Sequence, residues 1–293
     1  MKWVELKRSK VRVYGKAGRV LPKGMAEEHT AFLHNLLTND IKGMKENTLT
    51  YNLWLKQNGF PLGEFFVYKL EGEYLLDTPL ETEFVLQEFN RLRLSMRVYF
   101  EPLQVRHLFL FGEGAGHFVR SLFGVELEEG EVKRSGPNLI ARNSLRLGEE
   151  GYDLIGEGIS LPEEDRLTEQ EYEDIRVERM VPKLGKELRE GFSPLEACLL
   201  ERAISLNKGC YVGQEAIARV HYRGRLPRVL ALFEGRDLAE GERLRAEDKD
   251  IGLITSVSAL RPLALGYILR AKAEEGAEFT TDRHNRARLL RLC

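Results

Sequence analysis

Apolar positions recur along the chain at two periods, and each period predicts its own kind of element. From Ala26 to Leu37, Phe32, Leu33, Leu36 and Leu37 share one side of a 3.6-residue repeat, which predicts a helix. Thr38-Asn39-Asp40 ends it, because short polar side chains compete for the backbone. Glu81 to Arg93 carries Phe84, Val85, Phe89 and Leu92 at the same period. Alternating or short apolar runs predict strands at Thr50 to Leu55, Phe65 to Lys69, Tyr74 to Asp77 and His107 to Phe111, with an Asn58-Gly59 turn signal between the first two. Gly112-Glu113-Gly114-Ala115-Gly116 follows, then a helix through Phe118, Val119 and Leu122. A dinucleotide fingerprint needs its third glycine at His117, so this reads as a tight strand-to-helix turn.

Leu139 to Arg146 and Tyr152 to Ile155 read as two strands joined by Gly148-Glu149-Glu150-Gly151. Thr168 with Glu171 is a capping-box pattern that opens a helix carrying Tyr172 and Ile175. Ser193-Pro194-Leu195-Glu196 predicts another helix, through Ala197, Leu200 and Ile204 to Asn207-Lys208-Gly209. After Pro227 the texture changes to short apolar runs, Val229 to Phe233, Leu253 to Val257, Leu263 to Leu269 and Ala287 to Leu292, separated by Gly, Asp and Pro. That pattern predicts a small β-barrel or sandwich, and the whole reads as α+β.

Composition narrows the function. In 293 residues, 44 Lys+Arg against 46 Asp+Glu leave a net charge of −2, so no global positive field exists to hold nucleic acid. Direct nucleic-acid binding is therefore not expected. No apolar run approaches the roughly 20 residues that cross a bilayer, and no secretory pattern follows the basic first residues. A cytoplasmic protein without membrane contact is expected. The three cysteines, Cys198, Cys210 and Cys293, argue against a disulfide framework and for a reducing compartment. They lack ligand spacing, so no tightly bound metal or resident cluster is expected.

The chemistry concentrates in Lys208-Gly209-Cys210-Tyr211-Val212-Gly213-Gln214-Glu215. Two glycines bracket one thiol, and glycine lets a loop approach a partner closely. Gly213 before a helix aims free amides back at the loop, and Lys208 beside them favours the thiolate of Cys210. A lone cysteine is more often a small buried hydrophobe. Arg219, His221, Arg223 and Arg225 then alternate with Tyr222 and Gly224; on an extended backbone they form either one anion-binding stripe or a solvated face. A cysteine hydrolase using His221 lacks an identifiable orienting acid.

Lys208 to Glu215, continuing to Arg219 and Tyr222-Arg223-Gly224, resembles the YgfZ signature. Weaker similarity to the wider superfamily covers Phe32-Leu33 with Leu37 to Ile41, Gly148 to Asp153, Arg176-Val177-Glu178 with Pro182 and Gly185, and Ala264 to Tyr267. YgfZ proteins are folate-binding relatives of the glycine-cleavage T-protein, an aminomethyltransferase, and support iron–sulfur enzymes. The resemblance implies three parts around a central folate cavity. Residues 1–224 would form an α/β region with a middle subdomain at 104–157, and residues 225–293 a terminal β-barrel.

The implied cofactor is tetrahydrofolate or a derivative, and the implied partners are folate and iron–sulfur clients, including tRNA-thiolating enzymes. Glu178 matches the glutamate that holds the pterin N–H donors. Arg176 and Arg219 match arginines suited to the carboxylates of the folate tail, and Gly209, Gly213, Gln214, Tyr222 and Arg223 belong to the motif that meets the cofactor. Cys210 is the implied working thiol of an accessory protein rather than a demonstrated enzyme. Two departures stand out. Met180 replaces an expected glycine, and Gly63-Glu64 stands where T-proteins carry the catalytic Asp-Asp pair. A longer Glu64 side chain misplaces a carboxylate by ~1 Å, which counts against aminomethyl transfer, the alternative activity.

Overall fold

The computed structural model describes residues 1–16 and 25–293. Contacts divide the chain into two units: Met1–Gln57, Leu62–Arg166 and Arg202–Gln214 form the first, and Asn58–Pro61, Leu167–Glu201 and Glu215–Cys293 the second. The sequence places a boundary near Arg225, whereas here the segment Leu167–Glu201 groups with the barrel.

The first unit opens with β1 (Lys2–Glu5), β2 (Ser9–Gly15), helix α1 (Glu28–Leu36), β3 (Thr48–Leu55), β4 (Pro61–Leu70) and β5 (Glu73–Thr78). It continues with α2 (Thr82–Leu92), β6 (Val98–Leu103), β7 (Arg106–Phe111) and α3 (Ala115–Phe123). Strands β8 (Val132–Ser135), β9 (Asn138–Arg142) and β10 (Gly151–Gly156) complete it. They form two five-stranded sheets, ordered β3-β4-β5-β2-β6 and β1-β7-β10-β9-β8.

Period-two alternation decides what each sheet face carries. In the first sheet Val11, Val13, Phe65, Val67, Tyr74 and Leu76 face α1 and α2 with Phe32, Leu33 and Phe89. In the second, Leu108, Leu110, Tyr152 and Leu154 pack with Val119 of α3. The intervening residues, among them Lys10, Glu64, Tyr68, Asp77, His107 and Asp153, lie on the opposite faces and are buried too.

The second unit holds α4 (Glu169–Glu178), the short α5 (Leu200–Ala203) where the chain re-enters the first unit, and most of α6 (Gln214–Arg223). Its strands are β11 (Arg228–Glu234), β12 (Arg243–Ala246), β13 (Lys249–Val257), β14 (Leu263–Leu269), β15 (Glu278–Thr281) and β16 (Arg286–Leu292). They close an antiparallel barrel in the order β11-β14-β13-β12-β15-β16, filled by Val229, Phe233, Leu244, Ile254, Ile268 and Leu289. The capping box at Thr168 and Glu171 opens α4 as read from sequence.

Two expectations are corrected. Ser193-Pro194-Leu195-Glu196 does not open a long helix; turns run to Leu199 and only Leu200–Ala203 is helical. Glu196 caps the amide of Ser193 and pairs with Arg228 at 3.0 Å, and Cys198 adopts φ +56°, which breaks the helical path. Cys198 is also disulfide-bonded to Cys293, 95 residues away, so the expectation of reduced thiols fails for this pair. The odd count had left room for one bond. Cys293 N–H donates to Leu230 O, and Leu230 N–H donates to Glu196 O, which brings the two sulfurs within bonding reach. Dithiothreitol, or Cys293→Ser, is expected to cost about 2–4 kcal/mol in urea unfolding, as freeing a loop of this size should. Unchanged midpoints with and without reductant would sink that expectation.

Candidate functional site

The cysteine loop is pinned at both ends inside the first unit. Lys208 Nζ donates to the carbonyls of His34, Leu37 and Asn39, the last at 2.7 Å. The first two are carbonyls that the end of α1 leaves without helical partners, and the third lies just beyond it. An ammonium has three donors, so Lys208 has none left for a thiolate; the thiolate-stabilising role read from sequence is corrected to that of a helix cap. Burial lowers its pKa to about 7, with Asp40 opposing and Lys42 reinforcing the shift. Tyr211, 6% exposed, turns its ring to Lys208 Nζ at 4.8 Å. Burial raises the Tyr211 phenol to about 12.

Gly209 and Cys210 between these anchors, and Val212 just after them, face outward, and Cys210 is a free thiol. Gly209 has open space around it, with His34 Nε2 4.0 Å from where a Cβ would sit. Gly213 is constrained twice. Its φ is +83°, and a Cβ would fall 2.6 Å from Lys56 O and 2.8 Å from Leu55 Cβ. It lets the loop pass the end of β3 and start α6 at Gln214, whose amide donates to Tyr211 O at 3.2 Å.

The remaining candidates lie in the second unit. Arg176 is buried: NH1 donates to Val181 O and Glu187, and NH2 to Glu173 and Ser256. With Nε also sealed from solvent, it presents nothing to a ligand. Arg176 is thus corrected from a folate contact to a bolt between α4, the 181–187 segment and β13. Glu178 ends α4 with its side chain 40% exposed, and Oε2 accepts from Arg261. Arg291 NH2 donates to the Glu178 carbonyl, and Met180 holds φ +57°. This is the left-handed backbone that glycine favours, and methionine occupies it at a steric cost of about 1–2 kcal/mol.

Arg219, Tyr222 and Arg223 are exposed on α6, Tyr222 at 68%. The expected extended stripe is corrected here. Residues 219–223 are helical, so Arg219 and Arg223, four apart, share a side while His221 points elsewhere.

A buried polar cluster that no sequence motif marked lies between the two sheets of the first unit. Asp77 accepts from Arg8 Nε at 2.9 Å and Arg146 NH2 at 2.5 Å, and Lys10 Nζ lies 2.8 Å away. Asp153 accepts from Arg146 Nε at 2.5 Å, His107 Nε2 at 2.8 Å, and Tyr68 Oη and Asn143 Nδ2 at 2.7 Å each. Glu64 Oε1 accepts from Arg8 NH1 at 3.0 Å and Oε2 from Tyr51 Oη. Three cations face three carboxylates. Burial pushes the Asp77 carboxyl up, but Arg8, Lys10 and Arg146 outweigh it and hold the pKa well below the usual range. For Asp153, Arg146 and His107 outweigh burial in the same way. The available signal was a titratable residue inside a strand, as at Lys10, Glu64, Asp77, His107 and Asp153; Arg8 and Arg146 lie outside the strands. For function the consequence is at Glu64, both of whose oxygens are engaged.

The comparisons now bear on this geometry. No family model matches the chain. An uncharacterized protein of Aquifex aeolicus is 55% identical over 50% of this chain and 100% of its own length. The chain belongs to the same family as that protein. The aminomethyltransferase of Thermoanaerobacter pseudethanolicus is 25% identical over 82% of this chain and 71% of its own length. The crystal structure of glycine cleavage system aminomethyltransferase T from Bartonella henselae matches with a TM-score of 0.80 at 18% identity, over 98% of this chain and 84% of its own. The fold is accordingly α+β of the aminomethyltransferase type, with its C-terminal β-barrel, and the chain's homologues include aminomethyltransferases. Among the described residues no helix is long and apolar enough to cross a membrane.

Proposed function

We propose that the protein is a tetrahydrofolate-binding accessory protein of the YgfZ type, which supports iron–sulfur enzymes, tRNA-modifying ones among them, through the Cys210 thiol. The observation that carries the reading is the free, exposed Cys210 on a loop anchored at Lys208 and Tyr211. A merely structural cysteine would sit inside the core; this one is held outward by its neighbours. Glu178 suits a pterin, because Oε1 has no partner among the described residues and adjacent N–H groups need an acceptor pair. Arg219 makes no ion pair or hydrogen bond among the described residues and suits the carboxylate tail. Bound tetrahydrofolate supplies a reduced pterin able to carry one carbon; the chain's own part is to orient it and present the thiol.

Calorimetric titration with tetrahydrofolate tests the cofactor. Glu178→Ala is expected to weaken binding by about 1–3 kcal/mol, the cost of leaving donors without a charged partner. Equal affinity for wild type and variant removes Glu178 from the site.

The second reading, folate-dependent aminomethyl transfer, is favoured by the aminomethyltransferase homologues. Against it stands the engagement of Glu64 by Arg8 and Tyr51. Incubation with tetrahydrofolate and an aminomethyl-lipoyl donor separates the two. Turnover that Glu64→Ala abolishes and Cys210→Ala spares would establish the transferase.

A further inference from the structure

A cavity of about 620 Å³ in the second unit has no part in the reading above. Leu195 and Leu200 form one wall, Val220, His221 and Gly224 at the end of α6 another, and Arg225, Leu226, Pro227, Arg270 and Ala271 the rest. Its lining is mostly apolar, and no carboxylate contributes to it. Its walls are held by backbone bonds: Arg270 N–H donates to Pro227 O at 2.9 Å, and Gly224 N–H to Val220 O at 3.1 Å.

Two of its lining residues, Arg225 and Arg270, are cations with no carboxylate beside them in the lining. Arginines such as Arg8, Arg106, Arg146, Arg176 and Arg243 pair with carboxylates, and Arg228, next in sequence to the cavity, pairs with Glu196. The guanidinium groups of Arg225 and Arg270 have no ion pair or hydrogen bond among the described residues. An apolar hollow gains from burying a hydrocarbon surface, at roughly 25 cal/mol per Å². Two unpaired guanidinium groups at its mouth gain from a planar or tetrahedral anion. One molecule satisfies both when it carries an apolar body and one anionic head.

We propose that this cavity binds a small amphiphilic anion, its chain against Leu195, Leu200, Val220 and Leu226 and its carboxylate or phosphate head on Arg225 and Arg270. Glu178 and Cys210 do not line this cavity, and the proposal stands or falls without them.

Calorimetric titration of the full chain with octanoate, octyl phosphate, 1-octanol and inorganic phosphate tests it. Saturable one-site binding is expected for octanoate or octyl phosphate, and the tighter of the two names the head group. Octanol and inorganic phosphate should each bind at least about tenfold more weakly, one charge-assisted contact or one buried chain being absent. Arg225→Gln with Arg270→Gln, both on exposed side chains, should lower affinity about tenfold or more with unchanged thermal unfolding. Val220→Trp should fill the hollow and abolish binding. No saturable binding of either anion, octanol binding as tightly as octanoate, or full affinity in the double glutamine variant overturns the proposal.

Discussion

Cys210→Ala is expected to leave folding and tetrahydrofolate affinity unchanged and to abolish support of iron–sulfur enzymes in a cell lacking the native protein. The size of the effect follows from chemistry, because alanine removes the sulfur and nothing nearby can replace it. The other two cysteines are joined to each other, leaving Cys210 the only free thiol. Stability should not change, since an exposed side chain contributes little packing and the loop is held by Lys208 and Tyr211. Client activity measured in complemented cells, beside thermal unfolding and folate titration of the purified variant, gives the three readouts together. Full rescue by the alanine variant would remove the thiol from the mechanism and leave only folate binding.

Arg146→Met should destabilise the protein by about 3–5 kcal/mol, the usual penalty for leaving buried charges without their partner. Arg146 is shared between Asp77 and Asp153 and lies 4.1 Å from the Phe66 ring centroid, so its loss takes a cation from two buried carboxylates at once, leaving Asp77 to Arg8 and Lys10 and Asp153 to His107 and two neutral donors. Both carboxylates have pKa values depressed in the folded protein. The stability they contribute is therefore fully present above the unfolded carboxylate pKa of about 4, and is lost as pH falls through the lower folded values. Urea unfolding at pH 7 and pH 3 checks both statements: wild type should lose stability on acidification, and Arg146→Met should lose less. Arg146→Met with Asp153→Asn should cost less than the two singles summed, because the second change removes a charge from which the first had taken a cation. Additive losses would mean that the network is not coupled.

Much of the local structure was legible because it depends on short-range periodicity. The helical repeat around Phe32 and Leu33 gave α1, observed at Glu28–Leu36, and the short apolar runs after Pro227 gave the barrel strands. The capping box at Thr168 was readable because its two side chains are three residues apart. Edge and short strands such as β1, β8 and β15 were missed, since four residues carry too little pattern to stand out. Arg219 to Arg225 was misread because alternation in sequence is ambiguous until the backbone is known to be helical. Around Cys210 the two glycines mark the loop in the sequence, whereas Lys208, read as a thiolate stabiliser, and Arg176, read as a folate contact, direct their donors to backbone carbonyls and to Glu187.

By itself the sequence determined the α+β character, the terminal barrel and the presence of one thiol between two glycines, all features written within a few residues of each other. Only the tertiary structure decided the partners of charged groups. Arg8 meets Glu64 across 56 positions, Arg146 meets Asp77 across 69, and Cys198 meets Cys293 across 95. A buried charge or thiol takes its chemistry from whatever the fold carries to within about 3 Å, and no spacing along the chain encodes that distance.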